Sequence, residues 1–373
     1  MFRFLRAVLL LSGMVIGAGM FAIPFSFAAA GFWLGAAELA ILSLVVLALH
    51  LLYAEIVLAT PHLHRMPGYV RIYLGRVVGV VSWASSVFGS AGTLLAYLVI
   101  GTLFLQTIAG DAAGSYPLLW AVGLACIVAV ITRFSLKKSA SINGILTIFE
   151  IASIAGLSFF LLFKMSLAHL SGIRVSNAFL PYGVLLFALS GASVIPDLVT
   201  ILGRNKTRVR AAIVAGSLIP ALLYFLFAYA VVGVAGLATS EEAIAGLQRA
   251  VGGNIALWAS AAGFLAVFTS FVALSSSFQA MLFLDLGVPR SSAWFAVSAT
   301  PFILYLAGFQ NFIAIIGAVG VIAFGIDGIL FLLMGRKVRE RQRVRNPLAA
   351  LMGYVILAVI VIGVIAELLR IFA

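Results

Sequence analysis

The sequence predicts an all-α polytopic membrane protein with eleven transmembrane helices. Ten of these fall into two inverted repeats of five, and one more lies at the C-terminal end. Three observations carry this reading. Of 373 residues, 64% are hydrophobic and 9% are charged, whereas a soluble domain carries about 25% charged residues; the mean hydropathy is +1.23. The apolar residues gather into eleven runs, most of them near or above the roughly 20 residues that cross about 30 Å of hydrocarbon. Finally, the pattern G-x-x-x-I-P occurs at 19–24 and again at 191–196, 172 residues apart, each time inside an apolar run.

In chain order the spans read 7–31, 33–60, 77–109, 116–134, 140–163, 178–202, 209–236, 253–284, 291–307, 310–334 and 348–369. The opening MFRFLRAVLLLSGMVIGAGMFA has the basic start, apolar middle and small residues of a cleaved signal peptide. The apolar run nevertheless continues through Phe25, Phe27 and Phe32, too far for a signal peptide, so it reads as a first span. Shifting the second to fifth spans by 172 gives 205–232, 249–281, 288–306 and 312–335, close to the seventh to tenth. Five is odd, so the second set crosses in the opposite sense, the pattern of inverted-topology repeats. The chain then reads as one transmembrane domain over 1–373, with repeats at 1–165 and 178–335 and the extra helix at 347–373.

The net charge of +12 could suggest nucleic acid, but its placement argues for topology. Nineteen of the 23 Lys and Arg lie in alternate segments: 1–6, 61–76, 133–138, 203–210, 285–290 and 335–347. By the positive-inside rule these face the cytoplasm, which puts the N-terminus inside and, with eleven spans, the C-terminus outside, in a prokaryotic inner membrane. The expected partners are the lipid bilayer and a small molecule, with no nucleic acid and no obligate protein partner. The single cysteine, Cys126, excludes an internal disulfide.

Glycine and proline interrupt two helices at matching places. In lipid every backbone amide must be satisfied, so unwound backbone survives only against protein or a wet cavity. Gly17 and Gly19 permit conformations closed to other residues, and Pro24 and Pro196 each remove a donor. Freed amides at a half-helix N-terminus suit a carboxylate, and freed carbonyls suit an ammonium group. Two facing breaks therefore form a receptor for a zwitterionic α-amino acid without a charged side chain.

The runs SGMVIGAGMFAIPFSFAAAGF and LPYGVLLFALSGASVIPDLVTILGRNKTRVRAAI resemble the first and sixth helices of amino acid permeases of the amino acid/auxin and hydroxy/aromatic type, within the amino acid–polyamine–organocation superfamily. The resemblance implies the leucine-transporter fold, alternating access and ion-coupled import of an amino acid, often proton-driven in bacteria. It implies that Ile16, Gly17, Ala18, Gly19 and Met20 hold the substrate carboxylate. Ala188, Ser190, Gly191, Ala192 and Ser193 would receive the amino group and side chain, and the third helix would line the pocket with Thr93 and Tyr97. The chain departs from the family in having Asp197 where glutamate often follows the proline.

Ionisable residues within spans are functional candidates by default. Glu38, Glu55 and Glu367 lie near span ends, where they can reach the interface. Glu150, Asp197 and Asp327 lie deeper and are the candidate proton carriers, Asp197 foremost because it follows the second break. In the eighth span Thr269, Ser270 and Ser275 to Ser277 could instead complete a sodium site, or simply bond their own helix. The expected coupling ion is a proton, with sodium symport or exchange as the alternative. No lysine or arginine lies in the expected pocket, which points to a neutral, hydrophobic or aromatic substrate. No catalytic residue, metal site or cofactor is expected: HExxH, CxxC, GxSxG and P-loop patterns are absent. A serine protease built on GSAG at 89–92 with His50, and a channel, are distant alternatives.

Overall fold

The computed structural model describes residues 2–110, 116–134, 139–343 and 347–372. Lys137, Lys138 and Arg345 of the basic segments lie outside them. Among the described residues there are α-helices, short 3-10 turns and one π-turn, and no strand. Helices α1 (Phe2–Val15) and α2 (Gly19–Ala30) form one interrupted span bent by 54°. α3 (Phe32–Ala59) follows α2 after one residue, Gly31, whose φ of 107° only glycine adopts without strain. α4 (Met66–Leu74) is short; α5 (Arg76–Ala109), α6 (Pro117–Phe134) and α7 (Ser139–Leu162) are long.

A second interruption separates α8 (Leu180–Leu189) from α9 (Ile195–Ile201). Then come α10 (Lys206–Ala235), short α11 (Ile244–Val251), α12 (Ile255–Leu286), α13 (Arg290–Leu306), α14 (Phe312–Val319), a π-turn at Gly320–Phe324, α15 (Gly325–Arg341) and α16 (Pro347–Phe372). Among the described residues, eight helical stretches are long and apolar enough to cross a membrane, and the bent pair makes nine. The two other expected spans are shorter: α7 has an apolar stretch at Leu146–Leu162 and α13 has 17 residues.

Burial ranks the helices. In α5, 67% of the apolar window is buried, against 22% in α6 and 17% in α16. The interior is therefore built around α5, with α6 and α16 facing lipid. α5 packs along α12, and α10 packs against α1, α3 and α7. Small residues allow the closest approaches, as expected where hydrophobicity cannot drive helices together in lipid. A Cβ on Gly183 of α8 would lie 2.9 Å from Gly317 O, and one on Gly216 of α10 would lie 2.9 Å from Leu11 Cβ.

The two prolines play different parts. Pro196 falls in the first turn of α9, where a missing N–H costs nothing. Pro24 lies inside α2, which continues through it. The first break therefore precedes its proline, and the small residues Gly17, Ala18 and Gly19 account for it.

Candidate functional site

At the first break, Ile16 N–H still donates to Ser12 O at 2.7 Å, and Met20 N–H reaches back only to Gly17 O at 3.3 Å. Among the described residues the amides of Gly17 and Ala18 make no backbone hydrogen bond. They sit at the N-terminal, positive end of α2. Ile16, Ala18 and Met20 are fully buried. A Cβ on Gly17 would lie 3.4 Å from Tyr97 Oη and 3.9 Å from Ser270 Oγ. Three expected site residues from three spans thus meet at one point.

The second break comes against the first. A Cβ on Gly19 would lie 2.8 Å from Ala188 Cα, so the two interrupted spans touch backbone to backbone. Tyr224, on α10 and fully buried, places its hydroxyl 2.6 Å from Val15 O and 3.0 Å from Ala188 O. Both carbonyls lie at the C-terminal ends of half-helices, where intrahelical donors run out. One phenol therefore ties both breaks together.

Beyond Ala188, Ser190 N–H donates to Phe187 O at 3.2 Å and Val194 N–H to Gly191 O at 3.4 Å. Gly191 N–H donates instead to His50 Nε2 of α3, at 3.3 Å. Ser190 and Ala192, with His50 and Asp327, line a cavity of about 30 Å³. Ser193 is exposed, and its carbonyl accepts from Arg65 Nη1 at 3.3 Å.

The expected ion-coupling residues occupy three separate places. Asp197 pairs with Arg65 at 2.9 Å, each about half exposed (49% and 45%). Glu150 is buried, its Oε1 has no hydrogen-bond partner among the described residues, and it lines a small cavity with Thr269 of α12. Asp327 has its Oδ1 buried and similarly unpartnered. Two hydroxyls are spent within their own helices: Thr93 donates to Gly89 O at 2.7 Å and Thr269 to Ala266 O at 2.9 Å. Of the carboxylates expected at span ends, Glu55 pairs with Arg210, whereas Glu367 is fully buried.

The sequence profile of the tryptophan/tyrosine permease family matches residues 2–370. The chain belongs to that family. This makes it a membrane amino acid permease and not an enzyme. No curated protein sequence matches the chain.

The permease is similar in fold to solved transporters of the leucine-transporter type. MhsT in complex with L-phenylalanine superposes with a TM-score of 0.69 at 15% identity, covering 98% of both chains. A manganese transporter of Eremococcus coleocola, in complex with an aromatic bis-isothiourea substituted compound, gives 0.69 at 13% identity over 99% of the permease and 87% of that chain. A mutant of the same manganese transporter gives 0.66 at 13%, over 98% and 85%.

Three residues at the permease's breaks escaped the sequence reading. Tyr224 had a usable signal: a tyrosine deep in an apolar run must find a partner for its hydroxyl. His50 had one too, being ionisable inside a span, but it was weighed only as a partner for Ser90. Arg65 had none, because the positive-inside rule already explains a basic loop.

Proposed function

We propose that this permease imports a neutral, hydrophobic or aromatic amino acid by alternating access, driven by protons. The observation that carries the reading is the meeting of the two breaks, Gly19 against Ala188 with Tyr224 bonded to both. A receptor made of two half-helix pairs presents positive N-terminal and negative C-terminal ends to one small volume, which matches the two charges of an amino acid. Here Ile16 to Met20 receive the carboxylate, Ala188 and Ser190 to Ser193 receive the ammonium group, and Thr93 and Tyr97 border the side chain. The gathering of Gly17, Tyr97 and Ser270 supports this assignment, and tyrosine and phenylalanine nearby suit an apolar or aromatic side chain.

The same reading takes the chain as eleven spans: five over 1–165, five inverted over 178–335, and α16. The start points support it, since Phe32 and Lys206, Arg76 and Ile255, Pro117 and Arg290, and Ser139 and Phe312 pair at offsets near the 172 of the motif. The short α4 and α11 fall after the second member of each set. The arginine-rich end is cytoplasmic in this reading, and Arg65 with Asp197 closes the second break toward it. Proton coupling needs a carboxylate that gains and loses a proton with access. Glu150 and Asp327, buried with unpartnered oxygens, fit that need better than Asp197, which already has an arginine. A sodium cage would draw on Thr269, whose hydroxyl is engaged by its own helix.

The test is uptake by purified permease in liposomes. Radiolabelled L-tryptophan, L-tyrosine, L-leucine and L-glutamate are each offered under an inward proton gradient without sodium, then under a sodium gradient at equal pH. Proton-driven accumulation of an aromatic or aliphatic amino acid is expected. Preference for glutamate, or accumulation driven by sodium alone, refutes the proposal.

A further inference from the structure

The second break takes a hydrogen bond from a histidine, and that bond exists in only one protonation state. Gly191 N–H donates to His50 Nε2 at 3.3 Å, so this nitrogen carries a lone pair. His50 Nδ1 lies 3.1 Å from Ser217 Oγ of α10. A neutral ring protonated at Nδ1 satisfies both contacts, donating to Ser217 and accepting from Gly191; the tautomer follows from this network. The ring is buried, only 2% exposed.

Asp327 of α15 faces the same cavity as His50, together with Ser190 and Ala192 of the break. Its Oδ1 is buried and has no hydrogen-bond partner among the described residues. The cavity of about 30 Å³ is lined mainly by apolar side chains, with His50, Ser190 and Asp327 as its polar members, and has room for a single water molecule. The break of one span is thus in contact with a titratable base from α3, and that base shares its cavity with a carboxylate from α15.

We propose that His50 and Asp327 together bind the transported proton, and that His50 passes its arrival to the second break through Gly191. This rests on the proton coupling proposed above and names its site. A proton entering from the aqueous phase adds to the lone pair of Nε2. Both ring nitrogens are then donors, and the Gly191 N–H faces another N–H where it had an acceptor. The amide turns away and the break repacks, while the new Nε2–H is directed to the Asp327 carboxylate across the cavity. When the proton leaves to the other side, Nε2 accepts from Gly191 again. Binding a proton and reshaping the substrate-binding backbone become reciprocal events.

Among the described residues, no titratable group besides His50 and Asp327 lines this cavity. On α8, Tyr182 bonds Val359 O and Ile360 O of α16. On α9, Asp197 is paired with Arg65. On α10, Tyr224 bonds the two break carbonyls and Arg210 pairs with Glu55, five residues beyond His50 on α3; Lys206 and Arg208 sit in the first turn of α10. On α15, Arg336 and Lys337 pair with Glu340, and Arg341 stacks on Tyr73. On α3 itself, Tyr53 stacks on Phe331, and Glu38, whose Oε2 is buried without a hydrogen-bond partner among the described residues, lies twelve residues before His50 and does not line the cavity. α2 carries no titratable residue.

The experiment separates coupling from exchange. Wild type, His50→Gln and Asp327→Asn are reconstituted, and L-tryptophan is followed as counterflow at equal pH and as accumulation under a pH gradient. Glutamine can accept the Gly191 N–H through its side-chain oxygen but binds no proton. H50Q and D327N are expected to keep measurable counterflow and to lose pH-driven accumulation at least tenfold. The affinity of wild type for L-tryptophan should change with pH, and that of H50Q should not. The double variant should lose no more than either single one, because the two residues hold one proton.

Accumulation by H50Q at the wild-type level, or losses that multiply in the double variant, overturns the inference. If H50Q does not fold, D327N alone decides by the same split. If wild type exchanges L-tryptophan but no pH gradient drives it, the proposed coupling fails and the inference with it. If wild type is driven and both variants are too, only the inference fails.

Discussion

Replacing Tyr224 by phenylalanine removes one oxygen and keeps the ring, so no cavity opens and the change isolates a hydrogen bond. The hydroxyl lies 2.6 Å from Val15 O and 3.0 Å from Ala188 O, in a side chain with no exposed surface. It has one proton, so at any moment one of the two carbonyls receives the stronger bond. Without it both carbonyls lose their donor in a site closed to lipid and to bulk water. A buried acceptor left unsatisfied costs about 1–3 kcal/mol. If, in the alternating access proposed above, the two breaks part between states, the cost falls on the state in which they touch. That free energy corresponds to a shift of about 5- to 150-fold in the balance between access states. Y224F is expected to unfold a few degrees below wild type in detergent and to show a KM for L-tryptophan counterflow raised by at least fivefold. A variant with lower thermal stability but unchanged KM would refute the claim that the hydroxyl acts on the breaks. One unchanged in both would refute the cost itself.

Gly19→Ala would place a Cβ 2.8 Å from Ala188 Cα and 2.9 Å from Ala188 Cβ, well inside the roughly 3.5–4.0 Å of carbon contacts. Overpacking of about 1–3 kcal/mol should lower counterflow at least tenfold, while Gly17→Ala, whose Cβ meets Tyr97 Oη at 3.4 Å, should unfold at the wild-type temperature and change only KM. Arg65→Gln and Asp197→Asn each break a half-exposed pair, so each should alter stability by less than about 1 kcal/mol, with a double-mutant cycle in thermal unfolding giving a coupling no larger. Glu241 lies outside the spans, and burial, then the neighbouring Glu242, raises its carboxyl above the ordinary value. The charged form is therefore the disfavoured one in the fold. Glu241→Gln should raise the unfolding temperature at pH 7, with the gain vanishing below about pH 4, where wild type is protonated in both states.

The sequence by itself determined everything that a one-dimensional count can carry. Run lengths against the thickness of hydrocarbon made the chain a membrane protein, since a helix must satisfy its own amides in lipid. The recurrence of G-x-x-x-I-P at an offset shared by neighbouring spans located both interruptions, and the structure breaks the helices at Ile16 to Ala18 and at Ser190 to Val194. The lack of Lys and Arg near those motifs is the sequence's contribution to the neutral substrate proposed above. What the sequence could not carry was partnership across spans. Asp197, Glu150 and Asp327 look alike as acidic residues in apolar runs, yet one meets Arg65 and two are buried with unpartnered oxygens. Nor did the proline at position 24 reveal that α2 runs through it, because a break depends on which amides neighbouring helices leave unsupported. Tyr224 reaches the first break, and His50 the second, through packing between helices more than 140 residues apart in the chain. Hydrogen bonds that close such distances depend on where whole helices come to rest, and only the tertiary structure decides that.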